Sequence, residues 1–136
     1  MPGRNATKAM DVKVNQETIN DAAKLMMHRL IARKLGHDPS LVERARISQA
    51  KIAERFVERI FVREWDELLT LPTAELRAKL VSRDSDMVRL RISSPFVLAE
   101  GVDFTDYDLR VRIRRAAKRV AERGARSRTQ RPARAT

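Results

Sequence analysis

The stretch NQETINDAAKLMMHRLIARKLG, Asn15 to Gly36, decides the fold class of this chain. Asn15 supplies a side-chain oxygen of the kind that caps a helix, and Glu17 and Asp21 suit the positive end of the helix dipole. Ile19, Ala23, Met26 and Leu30 recur three or four residues apart and share one face. Gly36 is a natural stop, with Pro39 close behind. The spacing predicts a first helix from Asn15 to Leu35.

The same logic carries the reading onward. A second helix begins at Asp38-Pro39-Ser40, with Pro39 at its first position or with Ser40 and Glu43 as a capping box. Apolar positions from Leu41 to Phe61 predict one continuous helix to about Leu69, with Ser48 restarting it between a staple of Ile47 and Ile52. Pro72 opens a third helix to about Val81, with Leu76 and Leu80 inward. Residues 82–104 are the least helical stretch: Val88, Leu90 and Ile92 alternate with polar residues, which fits a short strand or one more helical turn. Ser93-Ser94-Pro95 breaks any helix there. A last helix begins near Thr105 or Asp106, has an apolar stripe of Leu109, Ile113, Ala116, Ala117 and Val120 with Val111 outside it, and stops at Gly124.

The expected fold is therefore mostly α, a small helical bundle with an irregular or briefly extended segment at about 82–104. A mobile N-terminal arm is expected at 1–14, the helical domain at 15–123 and a disordered basic tail at 124–136. Composition agrees with this class. Of 136 residues, 43% are apolar and only 4% aromatic, with 4 Gly and 5 Pro, too few turn and strand formers for a sandwich or barrel. The chain has no cysteine, which excludes disulfides, thiolate metal sites and a cysteine nucleophile. No apolar run approaches the ~20 residues that cross a bilayer, and the first residues lack the apolar core of a signal peptide. These features point to a soluble, cytoplasmic protein without membrane association, expected to be bacterial, and the excess of Arg over Lys suggests a GC-rich genome.

Charge divides the chain. Eleven Arg and Lys against three acids in residues 105–136 give +8 of the total +11. Residues 1–104 are close to balanced, with 18 bases and 15 acids. Clustered cations favour phosphate through attraction and counterion release, so DNA or RNA is the expected target of this end. Arg110, Arg112, Arg114, Arg115, Lys118, Arg119 and Arg123 are the candidate phosphate contacts. An acidic protein partner is the competing reading.

The segment Ile31 to Ala45 has the outline of a helix-turn-helix, with Ala32 at the helix contact, Gly36 in the turn, and Val42 and Ala45 as anchors. In that reading Ser40, Arg44 and Arg46 face a groove of DNA, beside an ill-suited Glu43. An ordinary helical connection explains the same residues. His28 and His37 are the only histidines, and no metal or cofactor site is indicated. There is no Gly-rich phosphate cradle, nucleophile elbow or metal-binding helix pair, so the chain reads as non-catalytic.

Taken in order, several elements form a pattern. They are His28-Arg29-x-Ile31-Ala32-x-x-Leu35-x-x-Asp38-Pro39-x-Leu41, then Trp65-x-x-Leu68-Leu69, then Glu75-Leu76 to Leu80-Val81. Leu90-Arg91-x-x-Ser94-Pro95-Phe96 and an Arg-rich final helix complete it. This order resembles a group of small bacterial helical proteins that act as antitoxin-like partners in toxin–antitoxin modules. The resemblance spans about residues 18–120. It implies a protein that neutralises a partner toxin, with Phe61, Trp65, Arg91, Pro95 and Phe96 on the partner surface, and that also binds promoter DNA. The chain departs from the pattern in its long cationic end and its acidic 103–108 segment. A stand-alone DNA-binding regulator, or a plasmid or phage accessory protein, is the alternative. A homodimer suits an amphipathic bundle and operator symmetry.

Overall fold

The computed structural model describes residues 15–135, and side chains from Asn15 to Ala125. The expected arm at 1–14 lies outside the described residues. Six α-helices follow in order: α1 (Gln16–His37), α2 (Leu41–Arg55), α3 (Ile60–Leu68), α4 (Thr73–Leu80), α5 (Ser85–Leu90) and α6 (Tyr107–Ala135). A 3-10 turn, Arg91–Ser93, extends α5. There is no strand among the described residues, so the alternation around Leu90 resolves as helix and the fold is a mostly α bundle.

α1 is the central strut, and α6, α4, the 3-10 turn and α2 all pack against it. Asn15 caps it as the sequence predicts: its side-chain oxygen accepts from the Thr18 amide at 2.7 Å. The helix runs through Gly36 and ends at His37, where the Asp38 amide donates to the Lys34 carbonyl. Arg77 of α4 donates from Nε to the Ala32 carbonyl at 2.8 Å and ties the two helices together.

The predicted continuous helix from 40 to 69 is instead two helices. The chain leaves α2 at Phe56 (φ −129°, ψ 48°) and starts α3 at Ile60. At 1.5 Å per residue, one straight helix would carry Trp65 about 30 Å along the axis from Ala45. Both residues belong to one core, and the break at 56–59 makes that possible. Buried Gln49 holds the fold-back, donating from Nε2 to the Val62 carbonyl at 2.9 Å and to Asp66 Oδ1 at 3.1 Å.

The core gathers Ile31, Leu35, Leu41, Ala45, Trp65, Leu69, Leu76, Leu80, Met87, Leu90, Phe96 and Ala99. Trp65 stands at its centre and meets Phe96 edge-on with centroids 6.3 Å apart. The segment 94–104 wraps this core without regular structure and turns at Gly101, whose φ of 91° is a left-handed conformation. Asp103 accepts from the Thr105 amide at 2.8 Å, and Asp106 Oδ2 accepts from the Leu109 amide at 2.9 Å. The acidic segment before α6 is thus a turn and a helix cap.

α6 lies along α1 with Ala117 and Ala121 buried in the seam, where small side chains allow close approach. The expected stop at Gly124 does not occur, and the helix continues to Ala135, so the backbone of 124–135 is helical. A helical Gly costs only about 1 kcal/mol relative to Ala, and the Ala and Arg residues around it are strong helix formers.

Candidate interaction surfaces

Two features stand apart from the core. The first is an open groove of ≈ 900 Å³ between α1, the α2–α3 connection and the segment 89–98. The break after α2 creates it: Phe56 and Phe61 meet at 5.7 Å in a tilted pair and form one wall, with Ile52 beside them. Met27 supplies the α1 side, and Val97 and Leu98 close the other. Large apolar side chains remain outside the core around it, with Ile60 and Leu98 72% exposed and Ile92 66% exposed. Val57, in the same connection, is 73% exposed. Clustered exposure of this kind, unlike single exposed apolar residues, makes the groove a candidate binding surface.

The charged lining of the groove is mainly cationic. Arg89 is already engaged, donating to both carboxylate oxygens of Glu64 at 2.8 and 3.0 Å, with Asp86 at 3.5 Å. The Arg89 hydrogen bonds hold the Glu64 carboxyl below its usual range. Lys24 and Arg59 line the groove as well, against one acid, Glu58. Arg91 is only 3% exposed, and its Nη1 donates to the carbonyls of Leu80 at 3.1 Å and Ser82 at 2.7 Å. It thereby closes the C-terminal end of α4, where a cation suits the dipole. Burial pushes its pKa down from the usual arginine range, with Asp21 opposing that shift and Arg29 adding to it.

Next to Arg91 is His28, fully buried on α1. Its Nδ1 lies 2.7 Å from the Lys24 carbonyl oxygen, so Nδ1 carries the proton and Nε2 the lone pair, which has no partner. Burial lowers the pKa to about 4, with the Lys24 carbonyl opposing the shift. The imidazole is neutral at pH 7.

The second feature is the outer surface of α6. Arg110, Arg112, Arg114, Arg115, Lys118, Arg119 and Arg123 are all exposed, and none joins an ion pair among the described residues. Helical spacing sets Arg112, Arg115, Arg119 and Arg123 in one row and Arg110, Arg114 and Lys118 in another. Along the axis, Arg110 to Arg123 covers ~20 Å. Val111, outside the expected apolar stripe, lines a second groove of ≈ 560 Å³ with Ala23, Phe104 and Tyr107. Met27 borders this groove as well as the first.

The remaining expected site residues are placed differently. Arg44 donates to Asp38 Oδ2 at 2.6 Å and to Ser40 Oγ at 3.3 Å, and its guanidinium lies against Gly101. Bonds from Ser40 first, then Arg44, hold the Asp38 carboxyl down at about 2. Arg46 donates to Glu43 at 2.8 Å and to the Leu69 carbonyl at 2.9 Å. Both arginines are engaged within the chain, and the segment 31–45 folds as a corner between α1 and α2. Trp65, Pro95 and Phe96 lie fully inside and cannot touch a partner. They position the surface from beneath it. Phe61 and Arg91 do line the groove. The groove residues missed from sequence, Ile92 and Leu98 above all, sit in the irregular segment where no periodicity marks a face.

No helix among the described residues is long and apolar enough to cross a membrane, and no cluster of three or more His, Asp or Glu there could hold a metal ion. No family model, curated protein or solved structure matches this chain.

Proposed function

We propose that this protein is a non-catalytic, antitoxin-like interaction protein of the bacterial cytoplasm. Its groove holds a protein toxin, and α6 attaches to the phosphates of nucleic acid such as promoter DNA. The observation that carries this reading is the presence of two chemically unlike surfaces on one small bundle. The groove presents clustered exposed apolar side chains, which suit a protein partner. The α6 surface presents exposed arginines that join no ion pair among the described residues, which suit phosphate. Each surface supports one attachment, and a molecule with both joins a protein to nucleic acid.

Two expression experiments test the reading. A gene adjacent to this one, expressed alone, is expected to arrest growth, and co-expression of this chain is expected to restore it. Leu98→Glu, which places a charge on an exposed groove position, is expected to abolish the rescue without unfolding the protein. A harmless neighbour, or full rescue by the Leu98→Glu variant, counts against the groove as the toxin surface.

A further inference from the structure

The groove offers more than apolar contact. A buried guanidinium usually has a carboxylate beside it, because an unpaired charge is costly away from water. Arg91 is 3% exposed, yet no carboxylate lies within ion-pair distance of it among the described residues. Asp21 attracts it only from farther away. Nη1 is occupied by the carbonyls of Leu80 and Ser82. Nε and Nη2 make no hydrogen bond among the described residues, and Arg91 lines the groove. Lys24 and Arg59 line it too and join no ion pair among the described residues, so three such cations face one acid, Glu58.

We propose that the groove takes an apolar helix of a protein partner, and that one side-chain carboxylate on the apolar face of this helix pairs with Arg91. The inference rests on the function proposed above and names the chemistry of the partner. An arginine with free Nε and Nη2 presents two parallel donors, the geometry that grips a carboxylate with both oxygens. Lys24 and Arg59 add to the attraction at the margins. The apolar rim decides between a helix and a small amphipathic acid. Val57, in the α2–α3 connection, is 73% exposed yet outside the lining of the groove, so a small ligand inside ≈ 900 Å³ leaves it in water. A helix with its side chains is roughly 10 Å across and lies over such a rim, using apolar residues at i, i+3, i+4 and i+7 as anchors.

The test follows the methyl signals of Ile60, Ile92 and Leu98 by NMR on the whole protein. Three probes are titrated: a blocked helical peptide with leucines at i, i+4 and i+7 and one glutamate among them, its glutamine twin, and dodecanoate. The glutamate peptide is expected to shift all three methyl groups and to bind roughly tenfold or more tightly than the twin. Arg91→Met is expected to bind both peptides alike. Because Arg91 also closes α4, Lys24→Gln serves as the variant that keeps the fold, and it is expected to narrow the gap between the twins. Equal binding of the twins to the native protein overturns the carboxylate pairing and leaves the apolar groove as a docking surface. Silence from both peptides overturns the docking surface and with it the support for the proposed function. Tight binding of dodecanoate, with Ile60 and Leu98 unmoved by either peptide, overturns the protein partner in favour of a small amphipathic acid.

Discussion

The indole Nε1 of Trp65 donates to the Leu90 carbonyl oxygen at 3.0 Å and so ties α3 to the end of α5. A second acceptor, Ser93 Oγ, lies at 3.2 Å, and Ser93 in turn donates to the same Leu90 oxygen at 3.1 Å. This small network anchors the segment that carries Arg91 and Ile92 on one side of the groove.

Trp65→Phe removes the indole donor together with part of the ring volume. The variant loses the indole donor, but the Leu90 carbonyl keeps Ser93, so no buried acceptor is orphaned. The expected loss is about 2 kcal/mol, against about 3–5 kcal/mol for Trp65→Ala, which also opens a cavity. Urea unfolding of both variants measures the difference. Equal losses would mean that the indole bonds, not the packing, dominate.

His28 gives the fold a defined pH dependence. Its pKa falls from 6.5 to about 4 on burial. Between those values the unfolded chain binds a proton that the folded chain refuses. Stability from this group is therefore complete above pH 6.5 and declines as pH falls toward 4, by at most about 3 kcal/mol. Denaturant titrations from pH 7 to pH 4 are expected to show this fall, and His28→Phe is expected to flatten it. Asp38, held at about 2, contributes stability above its unfolded pKa and loses it only below pH 4, outside that window. An unchanged slope in His28→Phe would assign the pH dependence elsewhere.

Gly101 occupies a left-handed turn with φ 91°, and an added Cβ would meet the Arg44 guanidinium only at ordinary contact distance, 3.6 Å. Backbone strain, not crowding, therefore sets the cost of Gly101→Ala. The expected loss is about 1–2 kcal/mol, and substitution by Asn, which tolerates this conformation, is expected to lose less. Thermal unfolding of the two variants ranks them, and a larger loss for Asn would point to side-chain size instead.

The helices were legible wherever caps and periodicity agreed. Asn15, Pro72 and Asp106 marked starts that the structure retains, and Leu76 and Leu80 point inward as their spacing requires. The break at 56–59 was not legible, because Phe56-Val57 continues a helical pattern and no Gly or Pro interrupts it. Only tertiary packing, the need to return Trp65 to the core with Ala45, separates α2 from α3. The same blindness hid the groove, whose walls come from that break and from an irregular segment. Trp65 and Phe96 were expected on a partner surface through the resemblance, and a lone Trp suits a core as well as an interface. Glu43 and Arg46 stand at i, i+3 on a helix, a local sign of their pairing, but nothing local shows that Asp38 engages Arg44 or that the Leu69 carbonyl engages Arg46. The exposed cations of α6 were legible, since seven bases outnumber the positions a narrow stripe can hide.

The exposed row on α6 separates nucleic-acid binding from folding. Deleting residues 109–136 strips α1 of the seam that buries Ala117 and Ala121, so truncation is expected to unfold the bundle and cannot isolate the charge. Replacing Arg112, Arg115, Arg119 and Arg123 by Gln keeps the helix and removes one row of cations. If the row contacts duplex DNA, affinity falls and the slope of log K against log salt becomes shallower by about 0.9 for each lost phosphate contact. The melting temperature is expected to hold, because these side chains form no ion pair among the described residues. Arg44→Ala is expected to do the reverse, lowering stability through Asp38 and the Gly101 turn while leaving the salt slope unchanged. Salt titrations of fluorescent duplex binding on the three proteins decide the point: an unaltered slope in the quadruple variant removes α6 as the phosphate surface, and a shallower slope in Arg44→Ala restores the helical corner as a DNA contact.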